Sequence, residues 1–425
     1  MRSRDSNRSF VAFWLAAWTL ATVLPAVAWA VAPTVENLAA RVDQLAGRIE
    51  RTESGQIIAI NLSNRPASDD DLALLAAAPG LERLRLWGPG VTDAGLDHLA
   101  VLTNLVELGL DNTAVSDAGL AKLIPLANVR RIDMQRSTEV TNDGLAHLAK
   151  LPNLTYLTLL YMRITDAGLA QLKPARKLRL LDVRGCSISD AGLEHLGEIE
   201  SLVSLKLRSA SVTDAGLAHL RPLRRLRGLA LEDATLTDEG LAGLEHFAEL
   251  DDLNLMRAPI TDAGLRHVAP LVKMRQMILR GTYITSDGLM HLRGMQQLRK
   301  LDLSETGVGD DGLAHLAESS ELAWLNLWNS MVGSAGLTHL ARLPKLAYLN
   351  LDNTLVDDDG MIEIAKMPQL GTLSLNETGV TDAGLAALEK CPSLRSLSLR
   401  LTAVTDEGVA ALEAALPELK VADDR

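Results

Sequence analysis

Aromatic residues are nearly absent from this 425-residue chain: Phe, Trp and Tyr make up 3% of it, although 47% of its residues are hydrophobic. One irregular globular core uses more rings than that to fill its uneven spaces. A core drawn from Leu and Ala implies many small slots of one kind. Cysteine is almost missing too: Cys186 and Cys391 are too few for a disulfide framework or a thiolate zinc site. Basic residues are in the minority, 42 Lys and Arg against 54 Asp and Glu, for a formal charge of −12. An acidic chain repels a phosphate backbone, so nucleic acid is excluded as an expected partner, and a basic partner surface is favoured. No glycine-rich phosphate loop follows a strand and opens a helix; Gly88-Pro89-Gly90 reads as an irregular turn.

Long apolar runs are missing everywhere except at the amino terminus. There Arg2, Arg4 and Arg8 precede the uncharged residues 10–24, Pro25 breaks the run, and Ala26-Val27-Ala28-Trp29-Ala30 offers two small-x-small cleavage sites. That order is an export signal over residues 1–30, with a mature chain starting near Trp29 or Val31 in the periplasm or outside the cell. The alternative is an uncleaved anchor, since residues 10–31 are long enough to span a bilayer; a membrane is then touched only there. Without residues 1–30 the balance is 39 basic (42 less 3) against 53 acidic (54 less 1), or −14.

From residue 65 onward the sequence repeats. Thr-Asp-Ala-Gly-Leu or a close variant recurs with its glycine at Gly95, Gly119, Gly144, Gly168, Gly192, Gly216, Gly240, Gly264, Gly288, Gly312, Gly336, Gly360, Gly384 and Gly408. Every step is 24 residues except Gly119 to Gly144, which is 25; the extra residue is expected in the loop at residues 136–139. Asp71-Leu72 marks a degenerate first unit, giving fifteen. A Leu-x-Leu pair such as Leu84 and Leu86, or Leu349 and Leu351, begins thirteen residues after nearly every glycine and predicts a short strand with both leucines on one side. Gly-Leu-x-x-Leu between strands has helix spacing, with Thr92 as N-cap and Asp93 favoured at the helix start. One unit cannot bury its leucines alone, but stacked units can, and their strands then form one long parallel sheet of roughly 70 Å. Helices are wider than strands, so the stack bends with the sheet on the concave side.

The pattern Leu-x-x-Leu-x-Leu-x-x-Thr-x-Val-Thr-Asp-Ala-Gly-Leu-x-x-Leu resembles the leucine-rich-repeat family over residues 57–421. It is most similar to ribonuclease-inhibitor-like repeats and to the cysteine-containing repeats of F-box substrate adaptors, here in an exported, bacterial-type chain. The resemblance implies an α/β solenoid, a curved horseshoe with short helices on its convex face, and a trade in binding other molecules. Residues 31–56 are too short for an F-box domain, so a substrate-adaptor role ranks behind other binding roles. The expected organisation is a signal or anchor at 1–30, a helix-and-strand cap at 31–64, the solenoid at 65–421 and a polar tail at 422–425. In the cap, Val35, Leu38, Val42, Leu45 and Ile49 alternate steps of three and four, which predicts one helical seam through Ile49, then a turn at Glu53-Ser54-Gly55 and a strand over residues 58–62.

Chemistry-bearing residues fall into repeat columns. His98, His147, His195, His219, His267, His291, His315 and His339 all lie three residues after the repeat glycine, and His246 lies in a helix segment. No acid or cysteine recurs beside them at ligand spacing, so no metal or cofactor is expected. The recurring Asp93, Asp117, Asp166, Asp190, Asp214, Asp238, Asp262, Asp310, Asp382 and Asp406 share one local duty at a helix start, where catalysis needs a residue once. Cys186 occupies a small-residue column otherwise held by Thr113, Thr282, Thr306, Thr354, Thr378 and Thr402, and Cys391 a column held by Leu102, Leu126, Leu223 and Phe247. Asn-x-Ser/Thr triplets at Asn61, Asn153 and Asn376 have meaning only in a glycosylating host. No nucleophile–base grouping can be built, and the chain is not expected to be an enzyme.

The columns 12, 14 and 16 residues after each glycine are not uniform, and these side chains face the concave surface. Trp87, Trp324 and Trp328, every tryptophan beyond residue 30, lie in them, as do Tyr156 and Tyr348, with Tyr161 adjacent. The densest group is Trp324, Asn326 and Trp328, then Tyr348, Asn350 and Asp352, flanked by Lys300, Asp302 and Ser304 before and Ser374 and Asn376 after. Exposed aromatics on a rigid face are the usual anchors of a binding site, although cross-strand packing can also place them. A second, basic zone is formed by Arg184, Lys206 and Arg208. A protein ligand is the favoured partner. A glycan or cell-wall polymer on Trp324, Trp328 and Tyr348 is the alternative, and coplanar exposed rings spaced like sugars are its mark.

Overall fold

The computed structural model describes residues 33–422. The chain divides into residues 1–32 and residues 33–425; the expected export segment lies outside the described residues. Among those residues no helix is long and apolar enough to cross a membrane.

The amino-terminal helix Val35–Gln44 is capped by Thr34, whose hydroxyl accepts the Asn37 amide at 3.1 Å. Its buried Leu38 and Val42 lie, with Leu45, beside Ile60, Leu62, Leu72 and Leu86, so the helix covers the leucines of the first unit. Arg41 pins it there through Asp71 at 2.6 Å. The helical seam stops before Ile49, contrary to expectation. Ala46 takes a left-handed φ of 53°, the chain turns at Gly47, and Arg48–Arg51 becomes a strand antiparallel to Ile57–Ser68, with Ile49 opposite Ile60. Periodicity alone cannot see a left-handed residue that ends a helix.

After Ile57–Ser68 each strand pairs in parallel with the one before it. Gln276, Lys300, Trp324, Tyr348, Thr372, Ser396 and Lys420 stand in one row, 24 residues apart. The 25-residue step appears where Gln135 pairs with Leu160, and the extra residue follows Gln135. The inward leucines are sealed: Leu325, Leu327, Leu349 and Leu351 are each 0% exposed. Short helices, several of them 3-10 turns such as Gly240–His246, close the other side of the core. The last strand, Lys420–Ala422, uses the first residue of the expected tail.

The repeated Asp does more than sit at a helix start. Asp262 accepts both the backbone N–H of Thr285 (2.8 Å) and its hydroxyl (2.6 Å) in the next unit. Asp93 does the same to Ser116, and Asp190 to Thr213. The Thr of the next unit still caps its own helix, as Thr92 does for Ala94. The repeat glycine is explained by the same clamp: a Cβ on Gly119 would stand 2.1 Å from Asp93 Oδ1. Thr-Asp-Ala-Gly-Leu is thus half of an inter-unit lock, which is why its spacing is kept so strictly. The small-residue column is a second device. Thr282, Thr306 and Thr354 each donate a hydroxyl to the carbonyl three residues back at 2.6 Å, and Cys186 Sγ reaches Leu159 O at 3.2 Å.

Candidate binding face

Strands here are short. Trp324–Asn326 pairs over three residues, so the amide of Trp328, two further on, needs another acceptor. Asn326 Oδ1 supplies it at 3.1 Å. Asn350 does the same for the Asp352 amide at 2.8 Å, and Asp302 for the Ser304 amide at 3.1 Å and its hydroxyl at 2.6 Å. Three polar residues of the sequence-based site therefore also finish strands, each with one side-chain oxygen committed. Asp352 accepts the Asn376 amide at 2.8 Å, and Asn376 Oδ1 accepts the Ser398 hydroxyl and the Arg400 amide, both at 2.7 Å. Past this point the backbone turns left-handed, as at Glu305, Asn329 and Asn353, and their amides bond carbonyls of the next unit. That column was not read from the sequence; its Asn and Gly content, as at Asn329, Asn353 and Gly281, was the available signal.

Trp324, Trp328 and Tyr348 are all half-buried. Trp324 and Tyr348 stack with centroids 4.9 Å apart and planes 9° from parallel. Lys300, on the strand before, lies over Trp324 at 4.5 Å. Trp324 is thus covered on both sides, since Lys300 and Tyr348 belong to the two strands flanking it. Trp328 carries the Arg280 guanidinium over its ring at 4.8 Å, and Arg280 is held in turn by Glu305 at 2.5 Å. Burial first, then the charges of Asp352 and Asp302, hold the Tyr348 phenol above the ordinary tyrosine range. Stacking at one strand spacing does not give the row of separate, open ring faces expected of a sugar platform.

The zone read as basic is corrected by its partners. Arg184 is held by Asp182 at 2.7 Å and by Glu232 at 3.4 Å, and Arg208 by Asp233 at 2.5 Å. Lys206 shares a hollow of about 180 Å³ with Arg184, Glu232 and Asp252, where burial pushes the Asp252 carboxyl up and Lys206 pulls it down. Asp182 stands two residues before Arg184, Glu232 two units after it and Asp233 one unit after Arg208, acids that a count of cations alone leaves out.

Trp87 stands apart from the group, beside Asp111, Asn112, Gln135 and Arg136 around a hollow of about 240 Å³. Tyr156 carries Arg131 over its ring at 4.8 Å, and Tyr161 carries Arg136 at 5.5 Å. A further feature was missed. Tyr283, Met331 and Leu355 are 68%, 61% and 66% exposed, on the edge where strands end. They lie nineteen residues after Gly264, Gly312 and Gly336, so a column comparison would have found them.

Cys186 and Cys391 are buried free thiols, and burial pushes Cys186 up to about 11. His315 is held below the usual histidine range by burial and then by Arg293. Among the described residues no group of His, Cys, Asp or Glu is arranged to hold a metal.

A parallel sheet of short strands over a leucine core, backed by short helices and open on its other face, defines a leucine-rich-repeat solenoid. The leucine-rich-repeat family matches three segments, residues 175–197, 295–317 and 390–412. Among solved structures, an internalin from Listeria monocytogenes is similar at 21% identity and a TM-score of 0.58, over 78% of this chain and 89% of that one. A leucine-rich-repeat protein from Leptospira interrogans is similar at 17% identity and a TM-score of 0.55, over 82% of this chain and 91% of that one. Both likenesses are of fold. No curated protein sequence matches the chain.

Proposed function

We propose that this chain is an exported, non-catalytic scaffold of ribonuclease-inhibitor-like repeats that binds a protein through the concave face of its sheet. The observation that carries the reading is the group Trp324, Trp328 and Tyr348, half-buried and held by stacking and by Lys300 and Arg280 on a row of short strands. Rings fixed before a partner arrives lose little freedom on binding, which is what a binding anchor needs. The exposed Tyr283, Met331 and Leu355 lie in the same stretch of units and extend the apolar surface over the edge of the sheet. The export part of the reading rests on the basic, apolar and small-residue order of residues 1–30.

The experiment is affinity capture from the exporting cell with the chain as bait, in wild-type form and as Trp324→Ala/Trp328→Ala. A partner retained by the first and lost by the second, with both proteins folded, supports the reading. Equal capture by both proteins refutes the aromatic group as the site. Amino-terminal sequencing of the exported protein tests cleavage: a start near Trp29 or Val31 is expected, and Met1 retained in a membrane fraction indicates an anchor.

A further inference from the structure

We propose that the edge of the solenoid where strands begin carries a separate site for a compact, multiply charged oxyanion, of the class of sulfated or phosphorylated sugars. Five cationic side chains, Arg130, Arg176, Lys177, Arg179 and Arg225, line one hollow of about 460 Å³, and no carboxylate lines it with them. They come from the loops that enter three alternate strands, Arg131–Gln135, Leu180–Asp182 and Gly228–Glu232, so the stacking of units gathers residues that are far apart in sequence.

The same columns elsewhere show what this edge does by default. Arg130 and Arg179 stand eleven residues after the repeat glycine, as do Arg227, Arg299 and Arg395. Arg227 is paired with Asp251, Arg299 with Glu321 at 3.8 Å, and Arg395 with Glu418 at 3.0 Å. Lys177 and Arg225 stand nine residues after it, as do Lys273 and Lys345. Lys273 is paired with Glu249 at 2.6 Å, and Lys345 with Glu321. At the hollow these carboxylate partners are missing. Lys177 reaches only the neutral Asn153 Oδ1, at 2.7 Å, and Glu198, which Arg176 feels, is already held by Lys173 at 2.6 Å.

In a chain with 54 acidic residues against 42 basic ones, acids are plentiful, and five convergent cations without one carry a repulsion that an anion relieves. Guanidinium groups bind phosphate and sulfate oxygens bidentately, and four of the five cations are arginines. The volume is that of a ligand pocket, well beyond one free ion. The overall charge of −12 opposes a long polyanion while leaving room for a compact one. The hollow borders the concave face at Tyr156 but shares no residue with the Trp324, Trp328 and Tyr348 group, so it stands or falls independently of the protein-binding reading.

The test is calorimetric titration of the full chain with sucrose octasulfate, inositol hexakisphosphate, inorganic phosphate and plain sucrose. Both polyanionic probes are expected to bind at one site, with affinity falling steeply as salt rises. Phosphate is expected to bind at least about tenfold more weakly, and sucrose not at all. Arg176→Ala/Arg179→Ala should lower polyanion affinity about tenfold or more, Arg225→Glu should lower it further than Arg225→Ala, and Arg275→Ala, outside the hollow, should leave it unchanged. All these side chains are exposed, and melting curves verify that the variants fold. Failure of both polyanions to bind, or binding indifferent to the double variant, overturns the site. Phosphate binding as tightly as the sugar-sized probes overturns the ligand class.

Discussion

Two stretches of the solenoid share one leucine frame and differ in what the frame leaves free. From Arg131–Gln135 to Gly228–Glu232 the inter-unit clamp keeps both of its bonds, as in Asp166 with Ser189 and Asp190 with Thr213, with one variant, Asn142, which accepts the Thr165 amide and donates to its hydroxyl. There the concave face carries charges that neutralise one another, and the strand-start edge keeps five cations without a carboxylate in their hollow. From residue 286 to residue 357 three successive clamps are altered: Ser286 serves Gly309, Asp310 serves Gly333, and Ser334 pairs with Asp357. The strand-start cations Arg299 and Lys345 are now paired, the concave face carries Trp324, Trp328 and Tyr348, and Met331 and Leu355 stand exposed at the strand-end edge. Leu325 and Leu327 are as buried as Leu205 and Leu207, so the core does not dictate the contrast. The difference separates what stacking requires from what stacking merely permits, and candidate binding surfaces are found among the latter.

The largest effect expected comes from the frame itself. Leu327→Ala should cost about 2–5 kcal/mol of stability, because it opens a cavity at a site with 0% exposure. Trp328→Ala, the next residue, should lower partner affinity by about 2 kcal/mol or more, as loss of an anchor does. It should cost less than about 1 kcal/mol of stability, since the ring is half-buried and its contact with Arg280 is a partly exposed cation–π pair. Thermal melting beside a binding titration separates the two. If Trp328→Ala unfolds the chain while affinity survives, the tryptophan is packing and the contrast between the two stretches loses its functional meaning.

The clamps give a smaller, graded effect. Asp262→Ala removes two hydrogen bonds to Thr285, whereas Asp310→Ala removes one to the Gly333 amide. With hydrogen bonds to a charged group at about 1.5–3 kcal/mol in favourable settings and less at exposed ones, Asp262→Ala should be the more destabilising by about 1 kcal/mol. Equal melting temperatures for the two variants would mean that the altered clamps are as strong as the regular ones.

The frame was legible because it is written many times: glycine spacing, Leu-x-Leu alternation and the N-cap threonine each follow from one residue's local duty. What was not legible is what depends on the neighbouring unit. Asp262 was read as serving its own helix, yet its acceptors are filled 23 residues later. Arg184 counts toward a basic zone, yet Glu232, two units on, shares its guanidinium with Asp182. The helical seam of the cap ran on paper to Ile49 because nothing in hydrophobic spacing marks Ala46 as left-handed. The aromatic positions were readable from register, but their stacking was not, because it needs rings on adjacent strands to be placed relative to one another. The cationic hollow was hidden for the same reason, since its members come from separate units and the chain's total charge has the opposite sign.

The smallest effect sharpens the comparison at Tyr348. Its phenol is held above the ordinary tyrosine range chiefly by burial, then by Asp352 and Asp302, against a lowering hydrogen bond with Asn350. The folded pKa therefore exceeds the unfolded one, near ~10. The stabilised species is the neutral phenol, so its contribution is fully present below pH ~10 and is lost as pH rises through the folded value. A difference titration of tyrosinate absorbance, wild type minus Tyr348→Phe, should have its midpoint above ~10. Asp352→Asn should bring the midpoint down only in part, because it removes one charge and leaves the burial against Trp324. A midpoint at or below the ordinary value would mean that water reaches the ring and that the stack is open in solution. Tyr348 would then present a free face, the aromatic group would regain the geometry of a sugar platform, and the choice of a protein partner over a glycan would have to be reversed.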